Sequence, residues 1–178
     1  MIILGVDPGS NHTGYAVVET EGRRERVLTC DTLHMNPKSD HHTKLKEIYD
    51  RLGAVVEEFL PNECALEMPI YGKNPQSMLK LGRAQAAAML VALNRQIPVT
   101  QYTPAEVKKS VTGNGGASKE QVAYMVRSMV TVPGDAGLDA TDALAVALCH
   151  VHRANAISPV RHKNWAAFAE ANAGRIIG

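Results

Sequence analysis

The chain has 178 residues, 45% of them hydrophobic, with 19 Lys and Arg against 18 Asp and Glu. That length fits one domain of roughly 100–200 residues, the apolar share rules out disorder as the main reading, the longest apolar run (Ala86–Leu93) falls short of the roughly 18 residues of a membrane span, and the first residues have no basic region ahead of an apolar stretch and so do not resemble a secretory signal. The near-neutral charge hides a split: residues 1–70 carry 7 basic and 12 acidic side chains, residues 71–130 carry 8 and 2, so a polyanion partner suits one surface.

Ile2–Val6 is a short β-branched run closed by Asp7-Pro8-Gly9, which predicts a buried strand entering a turn. Thr13–Val18 and Arg26–Thr32 read as further strands flanking the polar stretch Glu19–Glu25, an antiparallel meander. Apolar residues at helical spacing (Leu45, Ile48, Leu52, Val55, Val56, Phe59) predict a helix over 41–60, stopped by Pro61. A strand over Cys64–Met68 contains Glu67; a helix over 75–95 and a strand over Val99–Tyr102 follow.

Thr103-Pro104-Ala105-Glu106 has the pattern of a capping box with Pro at the first helical position, and Ser118 with Gln121 repeats the box after the loop Gly113–Gly116. A last helix runs from near Asp139 to about His152. The expected fold is α/β: a mixed five-stranded sheet, antiparallel meander then parallel strands, flanked by helices. Residues 1–157 form one domain, and 158–178 form a C-terminal tail expected to be loosely ordered.

Four acids stand out. Asp7 ends the first strand, Glu67 sits in an apolar strand, and Asp139 and Asp142 are three apart at a helix start. Singly, Asp7 reads as a turn aspartate and the helical pair as cap and first-turn acids. Glu67 resists such a reading, because an ionised carboxylate among apolar residues is costly unless paired or metal-bound. If the first strand is central, its end, Glu67 and the helix start meet. Like charges about 4 Å apart repel by roughly 4 kcal/mol at an effective dielectric near 20, so such a cluster needs cations. An all-oxygen set suits Mg²⁺ or Mn²⁺, and a pair of ions about 3.5–4 Å apart is the machinery of phosphodiester hydrolysis.

Ile3-Leu4-Gly5-Val6-Asp7-Pro8-Gly9-Ser10 with Thr13-Gly14-Tyr15 resembles the opening of the RuvC family of bacterial Holliday junction resolvases. Ala65-Leu66-Glu67, Lys73-Asn74, Leu79-Lys80-Leu81-Gly82 and Asp139-Ala140-Thr141-Asp142-Ala143-Leu144-Ala145 continue the likeness in order over about residues 1–155. The resemblance implies an RNase H-like fold, a homodimer, divalent-metal-dependent cutting of four-way DNA junctions, and a RuvA and RuvB type branch-migration motor as partner. It places the family's metal-binding acids on Asp7, Glu67, Asp139 and Asp142, and its DNA-holding basic residues on Lys108 and Lys119.

The loop Gly113–Gly116 lacks the Gly-Lys-Ser/Thr of a P-loop, yet N–H groups at the following helix start, with Lys119, suit a phosphate oxygen. Lys73, Lys80 and Arg83 are further phosphate-contact candidates. The family's crossover aromatic falls on Ile70 in ungapped register, with Tyr71 one residue late; a Tyr71 side chain can stack on unpaired bases and Ile70 can wedge between them. The second half of helix 75–95 is apolar nearly all round, which suits contact with a second copy or burial under another helix.

His41, His42, His150 and His152 have no zinc spacing and read as solvated or helix-end residues. Ser10 and Cys64 have no base at recognisable spacing, which disfavours covalent catalysis. Cys30, Cys64 and Cys149 are too few and too scattered for a disulfide framework and fit a reducing cytoplasm. Two competing readings remain. Gly5-Val6-Asp7-Pro8-Gly9 followed by Thr13-Gly14 also resembles a phosphate loop of two-lobed ATP-dependent kinases and ATPases, though this chain is long enough for one lobe only. A junction-binding module that does not cut is the other, and Glu67 facing other acids would give it no benefit.

Overall fold

The computed structural model describes residues 1–22, 24–69, 74–134 and 136–156. Strands β1 (Ile2–Asp7), β2 (His12–Glu21), β3 (Arg24–His34), β4 (Glu63–Glu67) and β5 (Val99–Tyr102) form one five-stranded sheet in the order β3-β2-β1-β4-β5. β1 pairs antiparallel with β2 and parallel with β4, and β4 pairs parallel with β5. This is the expected meander joined to parallel strands.

Period-two alternation sends β1 to two cores. Leu4 and Val6 pack with Ile48, Leu52 and Val56 of α1 (His41–Phe59) and Ala84, Ala88 and Val91 of α2 (Pro75–Leu93). Ile3 packs on the opposite face, under α5 (Leu138–Ala156), where α3 (Pro104–Thr112) and α4 (Lys119–Met129) complete the layer. On α5 the run Ala143–Cys149 is fully buried, so this helix is the centre of its layer. Each fully buried Leu, Ile or Val here contributes about 1.5–3 kcal/mol relative to exposure.

The local punctuation follows the side chains. Asp40 caps α1 by accepting from Thr43 N at 2.8 Å, and both capping boxes form, at Thr103 with Glu106 and at Ser118 with Gln121. Gly113 ends α3 at φ 77°, a left-handed conformation that costs glycine little.

Several boundaries differ from expectation. The β2–β3 hairpin keeps its ladder through the polar stretch: Glu19 lies opposite Arg26, and their side chains pair at 2.7 Å. α1 ends with Leu60 in the left-handed region at φ 47°, one residue before Pro61. α2 stops at Leu93, and α5 starts one residue before Asp139 and continues past His152. β4 begins and ends one residue earlier than expected, so Glu67 closes the strand instead of lying inside it.

Candidate active site

Asp7 and Glu67 end neighbouring parallel strands. The β1–β4 register runs from Ile3 opposite Glu63 to Val6 opposite Leu66, so the two acids stand side by side one step further on. The loop behind Asp7 is pinned: Thr13 Oγ1 donates to Gly9 O at 2.8 Å, Met35 N to Asn11 O at 2.9 Å, and Lys44 Nζ to Asn11 Oδ1 at 2.8 Å.

Asp139 and Asp142 arrive on the first turns of α5, and two glycines set how deep that helix sits. A Cβ on Gly14 would stand 2.0 Å from Asp139 O, and one on Gly5 would stand 2.4 Å from Ala143 O. Only glycine lets the backbones approach this closely. These two positioning residues carry no chemistry of their own; their signal in the sequence is glycine inside otherwise β-branched strands.

The result is a cluster of oxygen donors. One carboxylate oxygen each of Asp7, Asp139 and Asp142 lies within 4.8 Å of the others, and among the described residues this is the one such group of His, Cys, Asp and Glu fit for a metal. Glu67 stands outside that trio and beside it, sharing a narrow cleft with Asp142, Lys108 and Lys119. Burial, then the charge of Asp142, raises the Asp7 carboxyl from 3.8 to about 6, with Lys119 opposing. Burial, then Asp7 and Asp142, raises Glu67 from 4.5 to about 8. Asp7 and Glu67 thus hold protons more tightly than ordinary carboxyls do, the expected cost of burying neighbouring acids with no cation between them.

Lys119, the first residue of α4, donates to Asp142 Oδ2 at 2.5 Å. Burial works against its charge, but the hydrogen bond and the charges of Asp142, Asp7 and Asp139 outweigh it and raise its pKa. Lys108, on α3, faces Glu67 across the cleft. Lys80 and Arg83 sit elsewhere, exposed on α2. Their charges, after burial as the larger cause, hold the His41 imidazole below its usual value. Ile70, Tyr71, Lys73 and the tail over 158–178 lie outside the described residues.

Other candidates close off. Cys64 is buried and its thiol pushed up to about 12 by burial, so it is inert as a nucleophile. His150, expected to be solvated or at a helix end, is instead buried, because α5 runs past it. Among the described residues no helix is long and apolar enough to cross a membrane.

An RNase H-like sheet with carboxylates gathered at the ends of its central strands defines an acid-cluster nuclease. The chain belongs to the RuvC family: the family profile, described as crossover junction endodeoxyribonuclease RuvC, matches residues 3–150. The crossover junction endodeoxyribonuclease RuvC of Salinibacter ruber is 54% identical over 177 residues, 99% of each chain. Its counterpart from Porphyromonas gingivalis is 42% identical over 98% of this chain and 96% of its own. Thermus thermophilus RuvC in complex with Holliday junction substrate superposes with a TM-score of 0.81 at 31% identity, covering 89% of this chain and 97% of that one.

Proposed function

We propose that this endonuclease resolves four-way DNA junctions by paired, symmetric nicks in recombination and repair, and that Asp7, Glu67, Asp139 and Asp142 hold a pair of divalent ions at the scissile phosphate. The observation that carries this reading is the convergence of Asp7, Asp139 and Asp142 within 4.8 Å, with Glu67 raised to about 8 by burial and by two of them. All donors are carboxylate oxygens, a set that fits Mg²⁺ or Mn²⁺ and not zinc.

When bound, such ions supply Lewis acidity to the attacking water and to the leaving oxygen of an in-line displacement, giving 5′-phosphate and 3′-hydroxyl ends. The chain's own part is placement. Asp7, between the other acids at the end of β1, would be the ligand shared by the ions, with Glu67 and the α5 pair as the further ligands. Lys108 and Lys119 draw the scissile strand to the cleft, and Lys73, Lys80 and Arg83 contact phosphates further along the arms. Tyr71, or Ile70 as a wedge, acts at the crossover, so Tyr71→Ala lowers cleavage more than binding.

A second copy of the chain supplies the second nick, since an open junction is itself two-fold symmetric. The outward face of α2, where Leu79, Leu90 and Leu93 are exposed, supports that contact. A branch-migration motor is the further partner, residues 158–178 form a tail outside the nuclease domain of 1–157, and the cytoplasm is the compartment. The test is cleavage of a synthetic four-way junction by Asp7→Asn and Glu67→Gln with Mg²⁺ or Mn²⁺. Both variants keep junction binding and lose cleavage by at least about a thousandfold, ~4 kcal/mol of transition-state stabilisation. Persistent cutting by either would falsify its assignment.

A further inference from the structure

The acids occupy one end of the contact between α5 and β4; the other end is polar as well. Glu63 opens β4, four residues before Glu67 and, by alternation, on the same face of the sheet. Its Oε2 lies 2.6 Å from Nε2 of His150, and Nδ1 of His150 lies 2.8 Å from Oη of Tyr102, the last residue of β5. The His150 side chain is 7% exposed, and Tyr102 is 2% exposed. With the proton on Nε2 the imidazole donates to Glu63 and accepts from the Tyr102 hydroxyl, so both ring nitrogens are satisfied. Arg153 lies 5.3 Å from the Tyr102 ring centroid and donates to Glu106 Oε1 at 2.8 Å, which extends the chain of contacts into α3.

None of these groups takes part in phosphodiester cleavage, because eight helical residues from Asp142 to His150 span about 12 Å. Four strand residues from Glu67 to Glu63 span about 13 Å. The two rungs between strand and helix are therefore matched in height. They differ in sign: the upper one sets carboxylates against each other, and the lower one is mutually attractive. Between them β4 offers α5 only the methyl group of Ala65, so apolar packing contributes little on this side. On the β1 and β2 side, Gly5 and Gly14 set how close the helix comes.

We propose that Glu63, His150 and Tyr102 are positioning residues for the metal centre, fixing the height and roll of α5 against β4 so that Asp142 stays within reach of the ions held by Asp7 and Glu67. This rests on the reading of the four acids as a metal centre. A directional hydrogen-bonded rung specifies one register of helix against strand, which an apolar contact of the same size does not.

The test uses the full chain and the variants His150→Ala, Tyr102→Phe and Glu63→Gln. Mn²⁺ binding without DNA is followed by electron paramagnetic resonance of the free ion, alongside junction binding in EDTA, thermal unfolding, and the metal dependence of cleavage. His150→Ala weakens Mn²⁺ binding about tenfold and raises the half-saturating metal concentration for cleavage by the same factor. Its junction binding in EDTA and its rate at saturating metal stay within about twofold of the native protein, since neither depends on metal affinity. Glu63→Gln, whose amide oxygen still accepts from Nε2, stays native in Mn²⁺ binding. A His150→Ala protein that binds Mn²⁺ like the native chain and only melts earlier overturns the proposal. Should that variant not fold, Tyr102→Phe decides: it removes one hydroxyl from a retained ring, Mn²⁺ binding about threefold weaker is expected, and unchanged binding overturns the idea. Normal cleavage by Glu67→Gln would sink the metal-centre reading itself; native Mn²⁺ binding in His150→Ala beside an inactive Glu67→Gln would sink only the positioning role.

Discussion

Lys119 Nζ and Asp142 Oδ2 stand 2.5 Å apart, a cation at the head of α4 donating to an acid on the first turns of α5. The ammonium offsets part of the repulsion among the acids in the absence of a divalent ion. The same group is the candidate phosphate contact, so it has two competing anionic partners, Asp142 and a DNA phosphate, and a cation held by the acids would compete with it for Asp142.

Lys119→Met separates those two duties. At pH 8 the variant binds Mn²⁺ more tightly than the native chain, by about threefold to tenfold, because one positive charge no longer competes at the acids. Junction affinity falls at the same time, by about tenfold. A variant that loses DNA affinity while its Mn²⁺ titration is unchanged would show that the pair has no bearing on the metal.

Proton linkage gives a second expectation. Asp7, raised from 3.8 to about 6, and Glu67, raised from 4.5 to about 8, bind protons more tightly folded than unfolded. Their contribution favours the folded state below the ordinary carboxylate range and is lost as pH rises to 8. In EDTA, urea unfolding therefore shows stability declining by a few kcal/mol between about pH 5 and pH 8, and Mn²⁺ at pH 8 restores it. Asp7→Asn combined with Glu67→Gln flattens the EDTA profile; a decline that survives the double substitution has another source.

Gly14→Ala tests the depth of α5. Its new methyl would stand 2.0 Å from Asp139 O, a backbone atom that cannot swing aside. Destabilisation of about 1–3 kcal/mol is expected, with cleavage falling further than stability alone explains because Asp139 moves with the helix. A melting temperature and cleavage rate equal to the native values would show that the contact relaxes freely.

Lys80→Ala and Arg83→Ala address the exposed basic side chains of α2. Each phosphate that a variant leaves unneutralised lowers the slope of log affinity against log salt by about 0.9. The cleavage rate at saturating junction stays native, since neither residue lines the cleft or is among the charges that act on Asp7 and Glu67. An unchanged slope in both variants removes α2 from the DNA path.

The sheet was legible in the sequence because β-branched runs punctuated by Asp7-Pro8-Gly9 and by Gly-rich or Pro-bearing loops leave few alternatives. The caps at Thr103 and Ser118 were legible for the same local reason. Nothing in the chain between Glu67 and Asp139 states that they converge; spacing alone left Asp7 and the α5 pair open to ordinary turn and cap readings, and the family likeness supplied what local physics could not. Glu63 was missed although it shares its strand face with Glu67, because the apolar run that signals this strand starts at Cys64 and leaves Glu63 outside it. His150 was missed because its partners, Glu63 and Tyr102, lie 87 and 48 residues away. Contacts of that separation are set by how α5 crosses the sheet, which no window of sequence records.

The order in which the acids occur along the chain also matters during synthesis. Asp7 and Glu67 emerge from the ribosome early, while Asp139 and Asp142 come on α5, the last helix among the described residues, whose inner faces are buried. A growing or half-melted polypeptide in which α5 is not yet in place therefore lacks two of the four carboxylates, and the proposed metal centre is assembled only with the finished body.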